Sequence, residues 1–220
     1  IHTYSLIHDD LPCMDDDDMR RGMPSCHKKY GEEYALLAGD GLLTRAFGII
    51  AESDIAKESP EIAIKAVAEL SALAGCNGMI GGQVIDIQNE DNKDIKLETL
   101  MMLDNLKTGA LIEAACSLGC IAARANDDKI QAAKEFASNI GLAFQIKDDI
   151  LDVTSSFEKL GKAIGSDMEN GKTTYVTLLG VEECQKLVDK LTDEALKALD
   201  AFENNEALKE YALYLAKRDY

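Results

Sequence analysis

The chain has no tryptophan, only three prolines and three histidines, and few aromatics, 5% of 220 residues. So few prolines leave long stretches open to helix and argue against a Pro-rich linker. Basic side chains are also short in supply: 23 Lys and Arg stand against 40 Asp and Glu, for a net charge of −17. That balance argues against binding nucleic acid or an anionic membrane face, since both demand a positive surface. It leaves room for a phosphate-bearing small molecule, which needs only a local basic pocket. The six cysteines form no Cys-x-x-Cys pair and no Cys/His zinc spacing. Cys116 and Cys120 stand one helical turn apart in an apolar run and read as packing, so reduced thiols in the cytoplasm are expected. No apolar run reaches membrane-spanning length and no signal peptide is visible, so no membrane span is expected. Ile1-His2-Thr3-Tyr4 lacks an initiator methionine and an N-cap. It reads as the middle of a helix whose N-terminal part is missing.

What is there is acid, and it is concentrated. Asp9-Asp10-Leu11-Pro12-Cys13-Met14-Asp15-Asp16-Asp17-Asp18-Met19-Arg20-Arg21-Gly22 packs six aspartates into ten residues and follows them with two arginines. Such a cluster repels itself unless cations neutralise it, and oxygen-only ligands suit a hard ion such as Mg2+. The guanidinium forks suit phosphate. On an unbroken helix Asp9 and Asp15 would lie about 240° apart. Pro12 breaks that ladder, so the chain can fold the later aspartates back toward the first pair. A solvated acidic loop is the plain alternative. An EF-hand fails, because its glycine position falls on Arg20 and its closing glutamate on Cys26.

The rest of the chain reads as helices: the end of one to about residue 10, then 32–53, one from Pro60 with Ser59 as N-cap, 96–124, 127–153, 174–180, 182–202 and 206–217. A loop covers 11–31, and no strand is expected. Tyr34, Leu37, Leu42, Ala46 and Ile49 supply the apolar spacing of the second helix. The helix from Pro60 is expected to continue past Gly81-Gly82-Gln83, with the glycine pair permitting close packing. On 96–124 the stripe Leu100, Leu103, Lys107, Ala110, Ala114, Ile121 puts a lysine on the apolar face, which calls for an anionic partner or a snorkelling side chain.

The helix from about 127 carries the second informative stretch. Its inner stripe Ala133, Ala137, Ile140, Phe144 continues by fours to Asp148 and Asp152, and Gln145, Asp148, Asp149 and Asp152 cluster over two turns. Carboxylates on a core-facing side need a metal or other cations; an ion pair with Lys107 or Lys147 is the structural alternative. Gly171-Lys172-Thr173 is not a phosphate loop: Gly165 stands one residue too far, Asp167 and Glu169 would repel phosphate, and no strand precedes it.

Taken together, these stretches resemble the trans-isoprenyl diphosphate synthases. Asp-Asp-x-x-x-x-Asp at 9–15 with Arg20-Arg21-Gly22 is similar to the family's first aspartate-rich motif in its bacterial form, with two inserted residues. Phe144-Gln145-Ile146-Lys147-Asp148-Asp149-Ile150-Leu151-Asp152 is similar to the second. Gly39-Asp40, Lys107-Thr108-Gly109 and Gly171-Lys172-Thr173-Thr174-Tyr175 match as well. The resemblance implies an all-α helical bundle around a central cavity, a single domain over 1–220 lacking its N-terminal helices, and a homodimer. It implies that the two aspartate motifs face each other across the cavity mouth.

The activity so implied is Mg2+-dependent head-to-tail prenyl transfer from an allylic diphosphate, dimethylallyl or geranyl, to isopentenyl diphosphate. Asp9, Asp15 and Asp148 would be the principal metal ligands and Asp152 a weaker one, with three Mg2+ ions expected once substrate is bound. Asp10 and Asp149 would act through water. Arg20, Lys107 and Lys162 would hold the allylic diphosphate and Arg21 that of isopentenyl diphosphate. Lys107, Thr108 and Gln145 would turn oxygen dipoles toward the carbocation. Tyr4 and Ser5 would form the cavity floor, where a bulky aromatic resembles synthases that stop at C15, farnesyl diphosphate. His8 and His27 are expected to be hydrogen-bonded structural residues. The family's basic Gly-Lys-x-x-Arg motif and a histidine that complete the isopentenyl diphosphate site are not found in these 220 residues. Alternatives are a geranylgeranyl diphosphate synthase, a non-catalytic partner subunit of a heteromeric synthase, and a terpene cyclase, which the second Asp-Asp-x-x-Asp disfavours. A plain acidic metal-binding bundle leaves Arg20-Arg21 and Lys107 without purpose.

Overall fold

The structure is a computed structural model describing residues 1–89, 92, 94–154 and 173–218. Lys162 and the segment from Gly165 to Lys172 lie outside the described residues. Helices carry about 80% of the described chain, in keeping with the all-α expectation. The expectation of no strand needs a small correction. Met19–Arg20 (β1) and Met23–Pro24 (β2) pair antiparallel, with Arg20 opposite Met23. Arg21 (φ 54°) and Gly22 (φ 75°) between them are both left-handed, the geometry of a two-residue hairpin turn that follows strand twist. The chain divides into two compact units, Ile1–Val67 and Ala68–Tyr220.

The first unit contains α1 (His2–Asp9), the hairpin, α2 (Cys26–Tyr30), α3 (Glu32–Glu52), α4 (Asp54–Glu58) and the start of α5 (Pro60–Ala74). Glu32 and Glu33 open α3, where carboxylates favour the helix dipole. Both α1 and α2 pack on α3. The His8 ring occupies the space a Cβ on Gly39 would fill, and its Nε2 donates to the Leu36 carbonyl at 3.0 Å. Close approach therefore selects the small face of α3: Ala35 and Gly39 are buried, whereas Tyr34, Leu37, Leu42 and Ile49 are exposed. The stripe read from spacing as a core face thus points outward. By length and composition, Glu32–Glu52 and the run Pro60–Asn89 also pass as apolar enough to cross a membrane, which corrects the expectation that no segment does. Leucine, isoleucine, valine and alanine raise the mean hydropathy of both stretches, although Asp40 and Arg45 interrupt α3.

The second unit is built on α9 (Asp127–Thr154), which packs against α8 (Ala110–Ala122) and α11 (Val181–Ala198). Leu142, Ile146 and Ile150 join Leu100, Tyr175, Cys184 and Val188 in one core cluster, and Phe136 and Ile140 join Ala195, Leu199 and Ala212 in another. Each large side chain so buried contributes about 1.5–3 kcal/mol. Lys134 ties the layers by pairing with Glu69 (2.6 Å) and Glu113 (3.3 Å). α10 (Tyr175–Leu179) and α12 (Glu206–Lys217) complete the unit.

Two helices depart from the sequence reading. The one from Pro60 stops at Ala74 and resumes as α6 (Met79–Asn89). At the break, a Cβ on Gly75 or Gly78 would meet the carbonyls of Ser71 or Leu73. The helix over 96–124 is α7 (Leu97–Asp104), a π-helical turn Asn105–Gly109, and α8. Gly82 of α6 abuts the Lys107 backbone with no room for a Cβ, which is the close packing expected of the glycine pair.

Candidate functional site

In the first unit the acidic stretch is a folded loop. Beyond α1 the chain turns at Leu11, which is buried, and Pro12. The Leu11 carbonyl accepts from the amides of Met14 (2.8 Å) and Asp16 (3.2 Å), and the Asp15 amide donates to the Asp9 carbonyl at 2.9 Å. The fold-back that Pro12 permits is therefore realised, with the Asp15 side chain exposed.

Asp10 is only 2% exposed. The Nε of Arg20 donates to it at 3.0 Å and a terminal nitrogen donates more closely still. Arg20 also stands 3.5 Å from Asp17. The bond to Asp10 raises the pKa of Arg20 above its already high ordinary value, against the opposing effect of burial. Arg20 is thus a fixed cation at the base of β1, and exposed Arg21 follows in the hairpin turn. Tyr4 is buried edge-on to the His8 ring, centroids 5.7 Å apart. Burial pushes its hydroxyl pKa up, and that hydroxyl has no hydrogen-bond partner among the described residues. Ser5 turns its Oγ back to the His2 carbonyl at 2.9 Å. A hollow of about 680 Å³ in this unit is lined by Leu11, Pro12, His27, Lys28, Glu32 and Leu36 among others, and by none of the aspartates.

In the second unit α9 presents the other cluster. Asp148, with a side chain 46% exposed, pairs with Arg218 at 2.6 Å. Arg218 also donates to the Phe144 carbonyl at 3.1 Å and stacks 3.9 Å over the Phe144 ring. Arg218 is thus one cation at Asp148, and Lys107 pairs with Asp86 at 2.5 Å. Asp149 accepts from the Tyr175 amide at 2.7 Å, anchoring the start of α10. Asp152 is 3% exposed, and neither carboxylate oxygen has a hydrogen-bond partner among the described residues. A buried carboxylate in that condition calls for a cation or a proton. Lys107 and Thr108 sit in the π turn, and they and Gln145 are half-buried.

Sequence reasoning passed over Asp86 and Arg218. Arg218 pairs across 70 residues of chain and left no local signal. In each unit taken by itself, the oxygen donors (Asp9 and Asp15 in the first, Asp148 and Asp152 in the second) are of the kind that suits a hard divalent ion such as Mg2+.

A family model described as polyprenyl synthetase matches residues 1–215. The chloroplastic geranylgeranyl pyrophosphate synthase of Capsicum annuum is 47% identical over 221 residues, covering 100% of this chain and 60% of the relative. The farnesyl diphosphate synthase of Escherichia coli (strain K12) is 44% identical over 224 residues, covering 100% and 75%. The geranyltransferase of Helicobacter pylori, solved in complex with magnesium and isoprenyl diphosphate, superposes with a TM-score of 0.79 at 38% identity, covering 98% of this chain and 69% of that one. The chain spans less than two thirds of the length of the plant relatives it matches.

Proposed function

Since the chain belongs to the polyprenyl synthetase family, we propose that the protein is a prenyltransferase joining an allylic diphosphate head-to-tail to isopentenyl diphosphate. The observation that carries this reading is the closure of Asp15 onto Asp9 beside Arg20, which assembles carboxylates and a fixed cation on one loop. Asp9, Asp15 and Asp148 would hold Mg2+, with Asp152 a further candidate and Asp10 and Asp149 acting through water. When bound, Mg2+ neutralises charge growing on the departing diphosphate. Three ions with substrate bound is the finer proposal.

Arg20, Lys107 and Lys162 would grip the allylic diphosphate and Arg21 that of isopentenyl diphosphate. Aimed at the bridging oxygen, these cations stabilise the charge that develops as the allylic C–O bond breaks and its electron pair leaves with pyrophosphate. Asp86 holds the Lys107 amine in place. The π turn departs from the regular hydrogen-bond ladder, which suits Lys107 and Thr108, with Gln145, to present oxygen dipoles to the allylic cation. The double bond of isopentenyl diphosphate then forms the new C–C bond, and the released pyrophosphate takes the proton.

Buried Tyr4, set just before Asp9, supports a C15 product, farnesyl diphosphate. A C20 product is the second reading, favoured by the 47% identity to a relative named geranylgeranyl pyrophosphate synthase. The chain is read as a single domain of this family that works as a homodimer without a membrane span, and the outward apolar face of α3 fits a second copy. Six free cysteines suit a reducing compartment such as the cytoplasm.

The test is to incubate the full-length protein with dimethylallyl and isopentenyl diphosphates, with Mg2+ or chelator, and size the products. Mg2+-dependent C15 supports the whole reading, and C20 keeps the class and discards the Tyr4 floor. No elongation by a folded protein overturns the activity in favour of a non-catalytic partner subunit.

A further inference from the structure

The acidic loop contains more carboxylates than the prenyl-transfer reading uses, and one imidazole faces them. His27 opens α2 with its side chain 3% exposed. Its Nδ1 stands 3.1 Å from the Oγ of buried Ser25. Its Nε2 is buried and has no hydrogen-bond partner among the described residues. The expectation of a satisfied structural histidine thus holds for one ring nitrogen and fails for the other. Leaving a buried polar atom bare is costly, so a partner from outside the described residues belongs there.

What Nε2 faces is acid. Asp16 Oδ1 lies 3.9 Å away, beyond hydrogen-bond range. Asp16, Asp18 and His27 each place one ligand atom within 4.8 Å of the others. Backbone geometry holds them there. Asp16 is left-handed (φ 49°) and its amide bonds to the Leu11 carbonyl, while the Asp18 carbonyl accepts from the Ser25 amide at 2.9 Å. Ligands about 2.1 Å from one ion lie roughly 3.4 Å apart at a tetrahedral angle. The 3.9 Å separation would close by about 0.5 Å and the widest by up to about 1.4 Å to reach it. The exposed Asp16 and Asp18 side chains (60% and 70%) are free to swing that far. Lys28 pairs with Asp18 at 2.7 Å and would have to release it; an exposed pair of this kind is worth little.

We infer that Asp16, Asp18 and His27 form a second metal site, selective for a first-row transition ion of the Zn2+ class over Mg2+. One imidazole with two carboxylates suits Zn2+ and its neighbours, whereas Mg2+ prefers oxygen alone. Ser25 accepts the Nδ1 proton and so turns the lone pair of Nε2 toward the ion, the usual outer support of a metal-bound histidine. Exposed Asp16 and Asp18 leave the remaining position to water. The ion would staple the loop after Asp15 to α2, fixing the hairpin that carries Arg20 and Arg21. None of the carboxylates assigned to Mg2+ is used.

The test strips the full-length protein with chelator, adds excess Mg2+ to fill the oxygen-only sites, and titrates Co2+ as a spectroscopic probe. One equivalent of Co2+ is expected to bind in the presence of Mg2+, with visible ligand-field bands and paramagnetic broadening of one histidine ring. His27→Gln and Asp16→Asn should each weaken Co2+ binding about tenfold or more, and Ser25→Ala about tenfold. Asp16→Asn alters an exposed side chain at a left-handed position that Asn tolerates, so its effect is readable even if His27→Gln or Ser25→Ala disturbs folding. Displacement of Co2+ by Mg2+, or binding unchanged by Asp16→Asn, would place the ion among the Mg2+ carboxylates and overturn the inference.

Discussion

The Asp15 amide donates to the Asp9 carbonyl at 2.9 Å, so two carboxylates six positions apart share one turn instead of opposite sides of a helix. This closure predicts a sharp contrast inside one acidic run. Asp15→Ala should lower kcat/KM about a hundredfold in Mg2+, whereas Asp17→Ala should change it only a few-fold. Equal effects in steady-state assays would show that total charge, and not this turn, carries the site.

Asp10 is buried beneath Arg20, and its removal strands a cation. Asp10→Ala is expected to destabilise the protein by about 2 kcal/mol, the half-buried guanidinium moderating the loss. Urea titration measures it. An unchanged midpoint would mean that Arg20 finds another carboxylate, with Asp17 the nearest.

Arg218 pairs at 2.6 Å with Asp148, a carboxylate proposed above to hold Mg2+. Arg218→Ala should therefore reduce the Mg2+ concentration needed for half-maximal activity by a few-fold, while stability falls by about 1 kcal/mol through loss of the stack on Phe144. A Mg2+ requirement that rises would identify Arg218 as a diphosphate ligand and not a competitor for Asp148.

Asp152 offers a test of its surroundings. Asp152 has no hydrogen-bond partner among the described residues, so Asp152→Asn should leave the melting temperature unchanged or raise it in the absence of metal. A clear drop would show that the carboxylate is held by a stabilising partner.

Burial pushes the thiols of Cys116 and Cys184 up to about 11 from an ordinary 9.0. The unfolded chain gives up these protons first, so their contribution is complete below pH 9 and is lost as pH rises toward 11. Urea midpoints should fall over that window, and Cys184→Ala should flatten the slope. At pH 8, a thiol reagent should label exposed Cys13 and Cys76 well before Cys184.

Long elements with strong periodicity were legible before the structure. The spacing of Ala133, Ala137 and Ile140 marked the buried side of α9, and Pro60 marked the start of α5. Pro12 rightly signalled the turn of the acidic loop. Other features had no local cause to read. The bulky stripe of α3 faces outward because Gly39 admits α1 to the opposite side, and spacing alone does not say which face a neighbour chooses. The hairpin strands are two residues long, too short for alternation to register. Arg21 in a left-handed turn runs against its own preference. The pairing of Arg218 with Asp148 depends on two distant parts of the chain meeting.

The π turn at Asn105–Gly109 has one further consequence. Such a turn accommodates one residue more than the α-helix would over the same rise. Deleting a single residue there would convert the turn to regular α-helix and leave the faces of α7 and α8 where they are. Ala110, Ala114 and Ile121 would stay in the core, while Lys107 and Thr108 would change direction. The extra residue is therefore spent on where two side chains point and not on how the helices around them pack.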